Sequence, residues 1–259
     1  MTPWASVNKI IGSWGGGNLI IISGPQGTGK TTFCSNINQY FATNGLPALL
    51  YCLEMNLEEL ALRILCAHFQ KTEDQIDEEI IKLARNTLSD WPLYIGANPQ
   101  ITGINDVTTL LRQAARRFGL QLIVFDNLHM LTRSIDNRTG EVGAITKCFK
   151  LLAMELEIPI ILIAQPRKLK PGRIMTPWDL KDSVDIFSDA DQIILLHREH
   201  IGQESDEDAV DEAENGSGDN FNSKTLVRLA KARHRPSKDT AIYLEGAQHR
   251  FREMDLLDL

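Results

Sequence analysis

Eight residues near the start of the chain, Gly24-Pro25-Gln26-Gly27-Thr28-Gly29-Lys30-Thr31, have the types and spacing to hold phosphate. They follow an apolar run, Leu19-Ile20-Ile21-Ile22-Ser23, and precede a helix-like segment over residues 32–43, opened by Thr32. A buried strand, a glycine-rich turn and a helix start form the setting that such a loop requires. Glycines let successive backbone N–H groups turn toward phosphate oxygens, and the helix N-terminus adds partial positive charge. Lys30 would reach the β- and γ-phosphates, and the Thr31 hydroxyl would ligate Mg²⁺. A chance glycine-rich turn would not match every fixed position in that context. The stretch predicts binding of a nucleoside triphosphate with Mg²⁺.

Cleaving a triphosphate needs a carboxylate near the metal and a group that orients or deprotonates water. Leu122-Ile123-Val124-Phe125-Asp126 is an apolar strand ending in an acid. At the C-terminal end of a parallel strand, Asp126 would sit beside the loop and coordinate Mg²⁺. Glu54 follows the strand Leu49-Leu50-Tyr51-Cys52-Leu53. If that strand neighbours the loop's strand, Glu54 faces the γ-phosphate; the alternative is an ordinary acid before a helix start. Gln165 ends the strand Ile160-Ile161-Leu162-Ile163-Ala164. Its amide can hydrogen-bond a γ-phosphate oxygen and report its loss, or simply cap the strand. Arg167, Lys168, Lys170 and Arg173 follow in a stretch of loop composition, either solvated or gripping a phosphodiester backbone. Lys231 and Arg233 end a late strand; they could contact DNA or reach a neighbouring subunit's nucleotide.

The elements that must position these groups alternate. Strands are predicted at 48–53, 92–95, 121–125, 159–164 and 191–196, with late strands at 225–230 and 240–244. Helices are predicted at 57–69, 73–88, 103–118 and 141–156. Alternation with fully apolar strands predicts an α/β fold, a mostly parallel central sheet with helices on both faces. Residues 1–17 read as a lead-in segment, with Trp4 and Trp14 packing at the domain edge. The whole of 1–259 reads as one domain.

Composition sets the bounds. Hydrophobic residues at 43% and charged residues at 24% are ordinary for a soluble globular protein. No 18-residue apolar run is present, so no membrane span is expected. Four cysteines without a CxxC spacing read as buried, reduced thiols in a cytosolic-type compartment. Net charge is −7, but residues 202–220 hold eight acids and no base, and the remainder carries about +1. That acidic stretch reads as a mobile surface loop. Bulk charge therefore does not exclude a local nucleic-acid surface.

Taken together, these blocks resemble the motor domain of DnaB-type hexameric replicative helicases, within the RecA-like P-loop ATPases. Gly24 to Phe33 resembles the family's phosphate loop, and Leu53-Glu54-Met55 its Leu-Glu-Met, whose acid activates water. Asp126-Asn127-Leu128 resembles the Mg²⁺-binding Asp-Tyr-Leu. Asn137-Arg138, then Leu152 to Pro159, resemble the helix leading to the sensor glutamine, here Gln165. Asp179-Leu180-Lys181-Asp182-Ser183 resembles a DNA-contacting loop, and Lys231-Ala232-Arg233 a Lys-x-Arg whose cations reach the adjacent subunit's ATP. Pro166-Arg167-Lys168 and Gly24-Pro25-Gln26-Gly27 look closer to the Twinkle and phage primase-helicase branch, and Val184 stands where many DnaB loops have glycine.

The resemblance implies a homo-oligomeric, hexameric ring that translocates on single-stranded DNA, contacted by Arg133, Arg138, Arg167, Lys168, Lys170, Arg173 and Lys181. It implies replication partner proteins, and the sequence leaves no room for the family's N-terminal collar domain. A RecA/RadA-like recombination ATPase and a non-unwinding regulatory ATPase are the alternatives.

Overall fold

The computed structural model describes residues 1–97, 103–132, 138–167, 173–180, 183–198, 222–232 and 235–255, with backbone alone at 138, 139, 183 and 184. The acidic stretch 202–220 lies outside the described residues. Strands β1 (Leu19–Ser23), β2 (Ala48–Cys52), β3 (Leu93–Gly96), β4 (Leu122–Asp126), β5 (Ile160–Ala164), β6 (Gln192–Arg198), β7 (Ser223–Ala232), β8 (Lys238–Glu245) and β9 (Arg250–Glu253) form one sheet. Its order is β3-β2-β4-β5-β1-β6-β7-β8-β9. The pairs from β3 through β6 are parallel, and β6 to β9 are joined antiparallel.

Helices are α1 (Ala5–Ile11), α2 (Lys30–Thr43), α3 (Leu57–Phe69), α4 (Glu78–Thr87), α5 (Ile104–Phe118), α6 (Arg138–Leu156) and α7 (Ser183–Asp189). They cover both faces, as the uniformly apolar strands require. Alternate strand residues serve opposite sides, because successive side chains on a strand point to opposite faces. Leu19, Ile21, Ile123, Phe125, Ile160 and Leu162 pack with Val107 and Leu111 of α5 and Phe149 of α6. Their neighbours Ile20, Ile22, Leu122, Val124, Ile161 and Ile163 pack with Ile11 of α1, Phe33 of α2 and Leu60 of α3.

Four expectations need correction. β2 lies between β3 and β4, not beside β1; strand order is a tertiary property that an apolar run does not encode. The helix expected over 73–88 is two pieces, a 3-10 turn Glu73–Gln75 and α4. Two successive caps divide them: Thr72 with Gln75 forms a capping box, and the Asp77 side chain accepts from the Ile80 N–H at 2.9 Å. The lead-in segment contains α1, and Trp4 is 2% exposed rather than at an edge. Cys34, Cys52 and Cys66 are buried free thiols, whereas Cys148 is half-buried.

Candidate functional site

The phosphate loop begins where β1 ends. Gly24 must lack a side chain, since a Cβ there would lie 2.5 Å from the Leu196 carbonyl oxygen of β6. Gly29 holds φ +81°, a left-handed turn that launches α2, and the Phe251 ring stands 3.0 Å from where its Cβ would be. Between them, Gln26 and Gly27 are exposed, while Thr28 is buried and its hydroxyl donates to the Pro25 carbonyl at 2.8 Å. The cradle is thus built of backbone, with its tip open to solvent.

Lys30 folds over the loop. Its ammonium donates to the carbonyls of Gly24 and Pro25, both at 2.9 Å. Burial pulls its pKa down, and the charges of Asp126 and Glu54 oppose that. The Thr31 hydroxyl donates to Asp126 Oδ2 at 2.5 Å. Asp126 is 1% exposed, and burial pushes its carboxyl up to about 6, with the Thr31 hydrogen bond pulling the other way. The Cys52 thiol lies 3.9 Å from the same oxygen.

Thr31 and Asp126 fit the Mg²⁺ of a bound nucleotide. Both offer hard oxygen, and Mg²⁺ is usually held by one or two carboxylates with the substrate's phosphates supplying further ligands. No cluster of three His, Cys, Asp or Glu side chains suited to a metal occurs among the described residues. The polypeptide alone therefore offers no closed metal cage there.

Glu54 reaches this centre by a different route from the one expected. β2 and β4 run in register, with Cys52 opposite Asp126, and the Leu53 N–H donates to the Asp126 carbonyl at 2.6 Å. The acid just beyond is held by two amides. Asn127 Nδ2 and Gln165 Nε2 both donate to Glu54 Oε1, the latter at 2.9 Å. Ser23 of β1 pairs with Ala164 of β5, so Gln165 emerges level with the start of the phosphate loop. Glu54 and Gln165 are solvent-exposed while Asp126 is deep, so a Thr31–Asp126 pair lies inside and a Glu54–Gln165 pair lies open.

Three residues at the site were not singled out from the sequence. Asn127 binds Glu54, and His129 Nδ1 accepts the Gln165 backbone N–H at 3.2 Å. Arg198 donates to the Gly27 carbonyl at 3.3 Å from the β6 side. No local pattern announces them; they matter because of which strand ends meet.

The other candidates are dispersed. The Lys231 ammonium donates to the carbonyls of Phe187 and Ala190 just past α7, the latter at 2.7 Å. Arg167 is exposed, and Arg173 pairs with Asp179 at 3.0 Å. The Arg138 backbone opens α6. Arg133, Lys168, Lys170, Lys181 and Arg233, and the Arg138 side chain, lie outside the described residues.

Known proteins share this sequence pattern and this fold. A replicative DNA helicase DnaB of Leifsonia xyli subsp. xyli is 28% identical over 267 residues, covering 98% of this chain and 55% of that protein. The replicative DNA helicase DnaC of Bacillus subtilis is 30% identical over 213 residues, covering 76% of this chain and 47% of that protein. The chain thus spans about half the length of these relatives. A solved DnaB-like replicative helicase, described with its interactions with primase, superposes with TM-score 0.81 at 19% identity, over 98% of this chain and 62% of that one. A second solved structure, an ATPase domain, gives TM-score 0.80 at 20% identity, over 97% and 90%. The family described as DnaB-like helicase C terminal domain matches residues 1–253, and to that family the chain belongs.

Proposed function

We propose that the chain is an ATP-driven motor of a replicative DNA helicase, hydrolysing ATP at subunit interfaces to move along single-stranded DNA and unwind duplex. The observation that carries this is the meeting of three strand ends. Thr31 on Asp126 forms a metal-side pair, and Glu54 on Gln165 forms a water-side pair beside the same phosphate loop.

Bound ATP with Mg²⁺ supplies the phosphoanhydride and the charge that polarises it. The loop amides and the α2 N-terminus bind phosphate oxygens, and Lys30 exchanges its two carbonyl partners for them. Thr31 and Asp126 orient toward the metal. Glu54 accepts the proton of the attacking water. Gln165 donates either to Glu54 or to the γ-phosphate, so occupancy of the site changes what the start of the following basic segment is attached to. Lys231 and Arg233 of one subunit complete the nucleotide site of the next, in a homo-oligomeric, hexameric ring. The cations at 133, 138, 167, 168, 170, 173 and 181 line the DNA path. The helicase with a solved fold like this one is described with primase interactions, and a replication partner of that kind is proposed here. Four free cysteines suit a reducing, cytoplasmic-type compartment, and no described helix is long and apolar enough to cross a membrane.

Glu54→Gln tests the reading. Removing the base while keeping the amide contacts should leave ATP binding within about twofold. It should lower DNA-stimulated hydrolysis by roughly 10²–10⁴, the range for a positioned general base. Hydrolysis at the unaltered rate would remove Glu54 from the mechanism.

A further inference from the structure

Trp178 stands out against the physics of folding. At 66% exposure it is the most exposed large apolar side chain among the described residues. The backbone that holds it is nonetheless tightly built. Pro177 opens a 3-10 turn, Pro177–Asp179, closed by a capping box in which Asp179 accepts from the Thr176 N–H at 2.8 Å and hydroxyl at 2.6 Å. The turn is stitched to the segment after Gln165: the Arg167 N–H donates to the Asp179 carbonyl at 2.8 Å, and Pro166 bridges Leu180. A turn this well determined presents its indole outward by construction.

One partner fixes the ring's attitude. Trp178 stacks on Phe187 of α7, centroids 5.6 Å apart and planes 19° apart. Phe187 packs in turn against the core cluster of α5 and α6, and the Lys231 ammonium lies 4.6 Å from its ring centre. The indole is therefore half of a stack already ordered before anything binds. Ordering a side chain costs free energy on association, and here folding has already ordered the ring. Cations flank the platform: Arg167 is exposed, and Arg173 is exposed while leaning on Asp179.

We infer that Trp178 is a stacking platform for a base of single-stranded nucleic acid, with the neighbouring arginines on the phosphates to either side. An outward aromatic face beside exposed cations matches the two chemistries of a single strand, a π-face and a phosphodiester. This rests on the single-stranded DNA reading above, and adds a contact to the base itself where the cations read only the backbone. Because every base offers a π-face, the contact tolerates any sequence, as translocation requires.

The test compares binding of a fluorescein-labelled thymidine oligonucleotide with an abasic oligonucleotide of equal length, by anisotropy on the full chain. The unaltered chain should prefer the base-bearing strand by about tenfold, within the range for one stacked base. Trp178→Ala should erase that preference while leaving abasic binding and its salt dependence unchanged, and Trp178→Phe should keep most of it. Binding without base preference overturns the platform and leaves the single-strand reading standing. No binding of either strand by the unaltered chain overturns both. If Trp178→Ala changes the size of the assembly without nucleic acid, the indole belongs to a contact between copies and the platform is wrong.

Discussion

At the scale of single residues, the site is a set of polar groups whose partners differ in depth. Asp126 is deeply buried, and that burial pushes its carboxyl up to about 6. Thr31 relieves part of that through one hydrogen bond at 2.5 Å. Thr31→Val keeps the shape and deletes the donor, leaving Asp126 short of a partner. A buried charged group stripped of a hydrogen bond costs about 1–3 kcal/mol, so denaturant unfolding of the nucleotide-free variant should shift by that amount. The same change should abolish the tightening of ATP binding by Mg²⁺ while leaving metal-free nucleotide binding intact, measured by titration with and without chelator. An unchanged Mg²⁺ effect would take Thr31 out of the metal's shell. These two residues were readable in advance because each sits at a fixed point of a short pattern, the end of a phosphate loop or the end of an apolar strand. Asn127 and His129 were not. An amide and an imidazole after a strand end carry no signal until the fold brings Glu54 and Gln165 within their reach.

At the scale of elements, the phosphate loop depends on packing beneath it. Phe33, in the first turn of α2, stacks on Trp4 with centroids 4.6 Å apart, and Phe251 meets both edge-on. The Trp4 indole N–H donates to the Phe251 carbonyl at 3.0 Å. The N-terminal segment and β9 thus brace the start of the helix that carries Lys30 and Thr31. Trp4→Ala should destabilise the fold by about 3–5 kcal/mol, the usual cost of emptying a buried aromatic site. It should also weaken ATP binding although Trp4 is far along the chain from the loop. A loss under 1 kcal/mol by denaturant unfolding would show that the cluster is not a support. The sequence carried the strands other than β9 and the helices other than α1 and α7, because apolar runs and helical spacing are local. It did not carry the bracing. Seven residues of α1 are too few for a clear periodicity, and Trp4 only shows its burial once β9, 247 residues on, closes over it. The position of β2 escaped for the same reason: adjacency in a sheet is decided by which helix crosses which face.

At the scale of the whole molecule, the site built by one chain is open on the side of Glu54 and Gln165. Its proposed completion comes from another copy's Lys231 and Arg233. In the single chain Lys231 is engaged at the end of α7, so reaching a neighbour's phosphate would mean leaving carbonyls that already hold it. Mixing two inactive variants decides whether completion occurs between subunits. Arg233→Ala keeps its own phosphate loop and Glu54 but lends no arginine, with an expected loss of roughly 10³–10⁵ in turnover. Glu54→Gln cannot activate water but still lends Arg233. Where an Arg233→Ala subunit's nucleotide faces the arginine of a Glu54→Gln neighbour, every required group is present. Mixed assemblies should therefore recover DNA-stimulated hydrolysis, greatest near equal proportions and absent from either variant alone. If Arg233 served the nucleotide of its own chain, each subunit would lack either its arginine or its glutamate, and no mixture would recover activity. The outcome separates a site shared between copies from one that is complete within a single chain.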